Sequence, residues 1–166
     1  MSSRVLFQLT EAAVQITQNS KTKLLVNDRA DIACAAGADG VQLTSQSLPA
    51  DVIRLDYGNE FLIGASTHSL PEARAAKLAD ADFLVLGPVF ATESKRIYGE
   101  PLGLTKLEEV TRELSGFPVI AIGGIALENA AECFAAGASG IAAIRLFSEA
   151  DKLAETVEKV RRSGSN

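Results

Sequence analysis

The chain of 166 residues holds one histidine, two cysteines, one methionine and no tryptophan. A lone histidine excludes a His-rich metal centre and leaves a single imidazole to titrate near neutrality. Cys34 and Cys133 lie in alanine-rich helical patterns with no Cys or His beside them. They read as two buried free thiols of a reducing compartment, not as a disulfide or a metal pair. No apolar run approaches the roughly 20 residues that span a bilayer. Met1-Ser2-Ser3-Arg4 leads into an amphipathic segment, not a signal peptide. Positive charge is scarce: 16 Lys and Arg against 21 Asp and Glu leave a net charge of −5. That balance argues against nucleic acid or an anionic membrane as the main partner. A cytoplasmic protein acting on small molecules is expected.

Hydrophobic residues make up 47% of the chain and charged ones 22%, enough for one globular domain over residues 1–166. Apolar spacing predicts a helix over 5–19, then a strand over Lys23 to Val26. Next come a helix over Asp31 to Ala36, closed by Gly37, and a strand over Gly40 to Leu43. A helix from Pro49 to Leu55 precedes a strand from Phe61 to Ser66. A helix over Leu70 to Leu78 leads to a strand over Phe83 to Leu86 and a long loop from Gly87 to about Gly103. Thr105 and Glu108 form the pattern of a capping box for a helix to about Leu114. Pro118 to Ile122 read as a strand without alternation, covered on both faces. Gly123-Gly124, a helix near Leu127, a strand over Ile141 to Ile144 and a last helix from Glu149 to Arg162 complete the chain.

Strict α/β alternation with a repeated junction, Ala36-Gly37-Ala38-Asp39-Gly40-Val41 and Ala136-Gly137-Ala138-Ser139-Gly140-Ile141, implies a doubly wound sheet or a (β/α) barrel. Ala79-Asp80-Ala81-Asp82-Phe83 is a looser copy. Six strands are counted where a complete barrel has eight. The expectation is a TIM-type barrel lacking its first two strands, incomplete at the N-terminus.

Barrels place their chemistry at the carboxyl ends of strands and often bind phosphate after the last two. Here those ends carry Gly123-Gly124, whose amides adjoin a helix N-terminus, and Ile144-Arg145, where arginine adds charge. His68 follows the strand of Ser66 and Thr67. It is either a surface residue or a proton carrier, and Ser66-Thr67 can also cap the next helix. Asp28, after Asn27, either caps its helix or ligates Mg²⁺. The equivalent loop after the second visible strand, Thr44-Ser45-Gln46-Ser47, offers no second carboxylate. Lys95 and Arg96 lie in the long loop, either solvated or reaching a phosphate.

These segments together resemble the thiamine phosphate synthase/TenI family. The resemblance rests on Leu24-Leu25-Val26-Asn27-Asp28-Arg29, Gly40-Val41-Gln42-Leu43, Gly64-Ala65-Ser66-Thr67-His68, Gly87 to Lys95, Gly103-Leu104 and Ala121-Ile122-Gly123-Gly124-Ile125, in the family's order. It implies a barrel in which Gly123 and Gly124 hold a thiazole phosphate through backbone amides, with Ile144 and Arg145 closing the site. It also implies that Lys95, Thr92 and Ser94 face a diphosphate, that Asn27 contacts the pyrimidine side and Asp28 binds Mg²⁺, and that Ser66 lies beside the reacting centre. In the TenI branch, which isomerises a thiazole phosphate carboxylate without a metal, His68 matches the proton carrier. Two departures stand out. Ser47 occupies the place of the family's second metal carboxylate, and the second-strand Gln-x-Arg-x-Lys motif is absent. Arg145 also replaces a small serine.

The expectation is therefore a TenI-like thiazole phosphate tautomerase needing no cofactor. One alternative is a Mg²⁺-dependent synthase impaired by the lost carboxylate; the other is a non-catalytic or truncated barrel binding a phosphorylated ligand. The edge strand at Lys23 to Val26 predicts a homodimer.

Overall fold

A computed structural model describes residues 1–91 and 100–164, with Ala150 described by its backbone alone. Among the described residues six strands alternate with helices. The chain divides into two compact units, one of Met1–Ser66 with Ala76–Asp82, the other of Thr67–Ala75 with the described residues from Phe83 onward.

The first unit opens with α1 (Ser3–Thr17), whose first turn is capped by the Ser2 hydroxyl. It packs on α2 (Ala30–Ala36). Strands β1 (Leu25–Asn27), β2 (Gly40–Leu43) and β3 (Leu62–Thr67) run parallel, with Asn27 opposite Gln42 and Gln42 opposite Gly64. Val26, Val41, Leu43 and Ile63 are buried, as are Ile32 and Ala33 of α2 and Ile53 of α3 (Ala50–Tyr57). Pro49 stands just before α3, where its fixed φ suits the entry. α4 (Leu70–Leu78) follows β3.

In the second unit, β4 (Phe83–Leu86), β5 (Val119–Ile122) and β6 (Gly140–Ala142) are parallel. Helices α5 (Gly103–Glu113) and α6 (Leu127–Ala135) are in contact, and α7 (Leu153–Ser163) packs on α6. Val119 and Ala121 are buried, whereas Ile120 and Ile122 are half-buried, so β5 is less evenly covered than its apolar run predicts.

The repeated junction is one structure built three times. Gly37 and Gly137 end their helices at φ 75° and 87°, and Asp80 does the same at φ 65°. In each copy the next residue closes a reverse bond to the helix: Ala38 N–H to Ala33 O, Ala81 to Ala76, Ala138 to Cys133. One residue later the chain is pinned to the preceding strand, Asp39 N–H to Leu24 O, Asp82 to Ile63, and Ser139 to Val119. The side chain of that same residue accepts a returning amide, Leu24 N–H on Asp39 Oδ2 at 2.8 Å, Ile63 on Asp82 Oδ2 at 2.7 Å, Val119 on Ser139 Oγ at 3.4 Å.

Three expectations need correction. Thr105 does not cap a helix. It lies inside α5, because the Leu102 and Gly103 amides donate to the carbonyls of Pro88 and Val89 and the helix is capped at Leu102 instead. Cys34 is exposed, on the outer side of α2; only Cys133 is buried, and burial pushes its thiol up to about 11. The final helix begins at Leu153, preceded by two short 3₁₀ turns at Arg145–Phe147 and Ala150–Lys152. Among the described residues no helix is long and apolar enough to cross a membrane.

Candidate functional site

The expected residues gather at the carboxyl ends of strands, one group in each unit. In the first unit, Asn27 ends β1 and is exposed. Asp28 follows in the left-handed region at φ 61°, which costs a non-glycine residue energy that its surroundings must cover. Its own N–H donates to Gln42 O at 2.9 Å. Its side chain does not cap α2, whose N-cap position is Arg29 without a side-chain bond. Instead Asp28 Oδ1 accepts the Ser47 hydroxyl at 2.5 Å. Ser47 Oγ also accepts Thr44 N–H at 2.8 Å and lies 3.1 Å from Thr44 Oγ1. Ser47, where the family resemblance implies a second carboxylate, thus places a hydroxyl in direct contact with Asp28. Among the described residues no group of three His, Cys, Asp or Glu side chains can hold a metal.

Ser66, half-buried near the end of β3, accepts a hydrogen bond from Gln42 Nε2 at 3.0 Å. The helix-capping alternative for Ser66 and Thr67 does not hold, because α4 is capped by Ser69 and Glu72 in reciprocal fashion. Glu72 N–H reaches Ser69 Oγ at 3.4 Å, and Glu72 Oε2 accepts the His68 N–H at 2.8 Å.

In the second unit, the exposed His68 directs Nδ1 at the Gly87 carbonyl oxygen, 2.5 Å away. A carbonyl accepts only, so Nδ1 carries the proton, and in the neutral ring Nε2 keeps the lone pair. Gly123 and Gly124 both have positive φ, 96° and 65°. A Cβ on Gly123 would meet Pro88 Cα at 2.6 Å, and one on Gly124 would meet Ala91 O at 2.7 Å and Phe90 Cβ at 2.8 Å. The segment that crowds them is tied down by Val89 N–H to Ile122 O at 2.8 Å and Phe90 N–H to Gly123 O at 3.0 Å. Asn129 locks the turn to α6, accepting from Ala126 N–H at 2.9 Å and donating to Gly124 O at 3.1 Å. Among the described residues the Gly124 N–H meets no acceptor. An amide held at a helix start in this way suits a phosphate oxygen.

Ile122 lies opposite Ala142, so β5 and β6 end level, and the turn of Ile144 and Arg145 rises from the strand beside Gly123. Ile144 is 86% exposed, a large apolar side chain uncovered at a strand end. A cavity of about 520 Å³ opens in this unit beside Phe117, Pro118 and Gly137, at the starts of β5 and β6, the opposite end from these residues. Thr92, Ser94 and Lys95 lie outside the described residues, as does Arg96. Sequence reasoning missed Gln42 as a site residue. Its only signal was the strand register that brings it beside Gly64.

An α/β chain that gathers polar residues and a crowded glycine turn at the carboxyl ends of parallel strands has the layout of the (β/α) class, in which those ends carry the site. The family model described as thiamine monophosphate synthase matches residues 1–147, and the chain belongs to that family. A thiamine-phosphate synthase of Moorella thermoacetica is 38% identical over 161 residues, 97% of this chain and 76% of that protein. One of Chlorobium phaeovibrioides is 44% identical over 147 residues, 89% of this chain and 70% of that protein. The solved thiamine phosphate pyrophosphorylase of Pyrococcus furiosus superposes with a TM-score of 0.86 at 34% identity, covering 99% of this chain and 78% of that one. The fold is the TIM-type barrel of this family, represented here by six strands.

Proposed function

We propose that the protein is a thiamine-phosphate-synthase-type transferase, joining a pyrimidine diphosphate to a thiazole phosphate with release of diphosphate. This places the synthase ahead of the tautomerase expected from the sequence. The observation that carries it is the Asp28 turn, which holds a carboxylate off its helix and against the Ser47 hydroxyl. Expelling a diphosphate requires neutralising the charge that develops on it. Mg²⁺ is commonly held by one or two carboxylates together with substrate phosphates, so an all-oxygen set with a single carboxylate fits. Asp28 would hold the ion, with Ser47 beside it, and the bound ion would supply charge neutralisation. The chain's own groups do the rest. Asn27 orients the pyrimidine, Ser66 offers a hydroxyl at the reacting centre, and Gly123 and Gly124 hold the thiazole phosphate through backbone amides. Ile144 covers the thiazole, and Arg145 adds positive charge. Thr92, Ser94 and Lys95 complete the proposal as diphosphate contacts.

The test is pyrophosphate release from a pyrimidine diphosphate and 4-methyl-5-hydroxyethylthiazole phosphate, with and without Mg²⁺. Turnover should require the ion and fall at least about a hundredfold in Asp28→Asn. Calorimetric binding of the thiazole phosphate should persist in Asp28→Asn and be lost in Gly124→Asp. A wild type that binds the thiazole phosphate yet releases no pyrophosphate at millimolar substrate defeats the reading. One observation favours a second reading, the metal-free tautomerase: the Gly87 bond fixes the proton on His68 Nδ1 and leaves Nε2 to accept one. Metal-independent isomerisation abolished in His68→Ala would select it. A homodimer belongs to the proposal, since among the described residues β1 pairs with β2 alone. A stable monomer by light scattering would remove it.

A further inference from the structure

Gln42 stands opposite Gly64 in the β2–β3 register, and side chains two residues apart on a strand share a face. Ser66 is therefore the next side chain along, and Gly64 puts none in between. The Gln42 amide reaches Ser66 Oγ at 3.0 Å, and the same nitrogen lies 3.4 Å from Leu43 O. A carbonyl cannot donate, so the contact with Leu43 identifies the atom as the NH₂ group, and Ser66 Oγ must be the acceptor. Among the described residues Ser66 Oγ has no second partner. Its one proton is left pointing elsewhere.

We propose that Gln42 is a positioning residue that commits the Ser66 hydroxyl to donate its proton to an anionic oxygen of the bound diphosphate substrate. The proposal rests on the synthase reading. Preset donors aimed at developing negative charge need no reorganisation when the charge appears. Without Gln42 the hydroxyl is free to turn towards any neighbouring acceptor.

The variant Gln42→Glu keeps the shape and exchanges a donor for an acceptor. Its carboxylate takes the Ser66 proton and turns the hydroxyl away from the substrate. At pH 8, kcat for pyrophosphate release should fall at least about tenfold, with KM for the thiazole phosphate nearly unchanged. The added negative charge could also act directly on the substrate, so Gln42→Glu is measured again in a Ser66→Ala background. There it should cost less than twofold, because the hydroxyl through which it acts is gone. The same cycle is run on calorimetric binding of inorganic pyrophosphate with Mg²⁺, which needs no turnover. Equal losses in both backgrounds overturn the proposal, as does a Gln42→Glu variant with the wild-type rate and affinity. If the wild type binds pyrophosphate but does not turn over, the synthase reading fails, and the binding cycle still decides the role of Gln42. If it binds no pyrophosphate, both fall.

Discussion

The two ends of the strands are built in opposite ways. At their starts, three junctions repeat one arrangement: a left-handed residue, a reverse bond to the helix, and a side chain that returns an amide bond to the preceding strand. At their carboxyl ends the turns after β1, β3 and β5 differ from one another. One carries Asp28 against Ser47, another Ser69 and Glu72 beside His68, and a third two glycines crowded by Pro88 and Phe90. Repetition marks the places where the chain needs only a sound connection. Divergence marks those where each turn has its own group to present, as the division of labour in (β/α) folds leads one to expect. The difference is testable, because changes at the starts should move stability alone.

The largest effect on folding is expected at Asp82. Its Oδ2 accepts both Ile63 N–H and Arg54 Nη2, the latter at 2.8 Å, and the Arg54 side chain is only 10% exposed. Asp82→Ala leaves a buried amide and a nearly buried guanidinium short of a partner, costing about 3 kcal/mol. Urea titration would measure it. A loss below about 1 kcal/mol would show that the remaining partners of Arg54, the carbonyls of Gly58, Phe61 and Asp80 and the Asp80 carboxylate, suffice.

Asp39 is the same device in a wetter place, paired with the exposed Lys23 at 2.7 Å. Asp39→Asn should cost about 1 kcal/mol at neutral pH. The Lys23 ammonium, followed by the Leu24 amide, holds the Asp39 carboxyl below its ordinary 3.8. A depressed carboxylate stabilises the fold above its unfolded value and loses that contribution as pH falls through the lower folded value. The two proteins should therefore differ at pH 7 and converge well below pH 3.8. A gap that stays constant across that range would assign the effect to something other than the charge.

Much of this layout is legible in the residues. The spans of β2, α4 and β4 follow from apolar runs and helical spacing, and the junctions from their repeated Ala-Gly-Ala signature. What stays hidden depends on partners far along the chain. Thr105 and Glu108 have the right local chemistry for a cap, but α5 starts where Leu102 and Gly103 meet the carbonyls of Pro88 and Val89. Cys34 sits in a pattern as apolar as that of Cys133, and only packing separates the exposed thiol from the buried one. At the site, single residues with unusual backbone needs, Gly123 and Gly124, are visible from sequence. The Gln42–Ser66 bond joins residues 24 apart and follows only from strand register.

The smallest effect on folding is also the sharpest comparison. Asp28 and Asp80 are the two non-glycine residues among those described with positive φ, at 61° and 65°. Asp80 occupies the place that Gly37 and Gly137 fill in the other junctions, and its carboxylate, 71% exposed, makes only a 3.3 Å contact with Arg54. Asp28 stands at a strand end instead. Replacing either with glycine removes the left-handed penalty but adds chain entropy to the unfolded state, and each also loses one polar contact. Both Asp28→Gly and Asp80→Gly should therefore change stability by no more than about 1 kcal/mol by urea titration. They should part company in Mg²⁺-dependent pyrophosphate release, unchanged in Asp80→Gly and lost in Asp28→Gly. If both variants kept full activity, the strained aspartate at the end of β1 would be one more connection, and the contrast between the two ends would lose its strongest support.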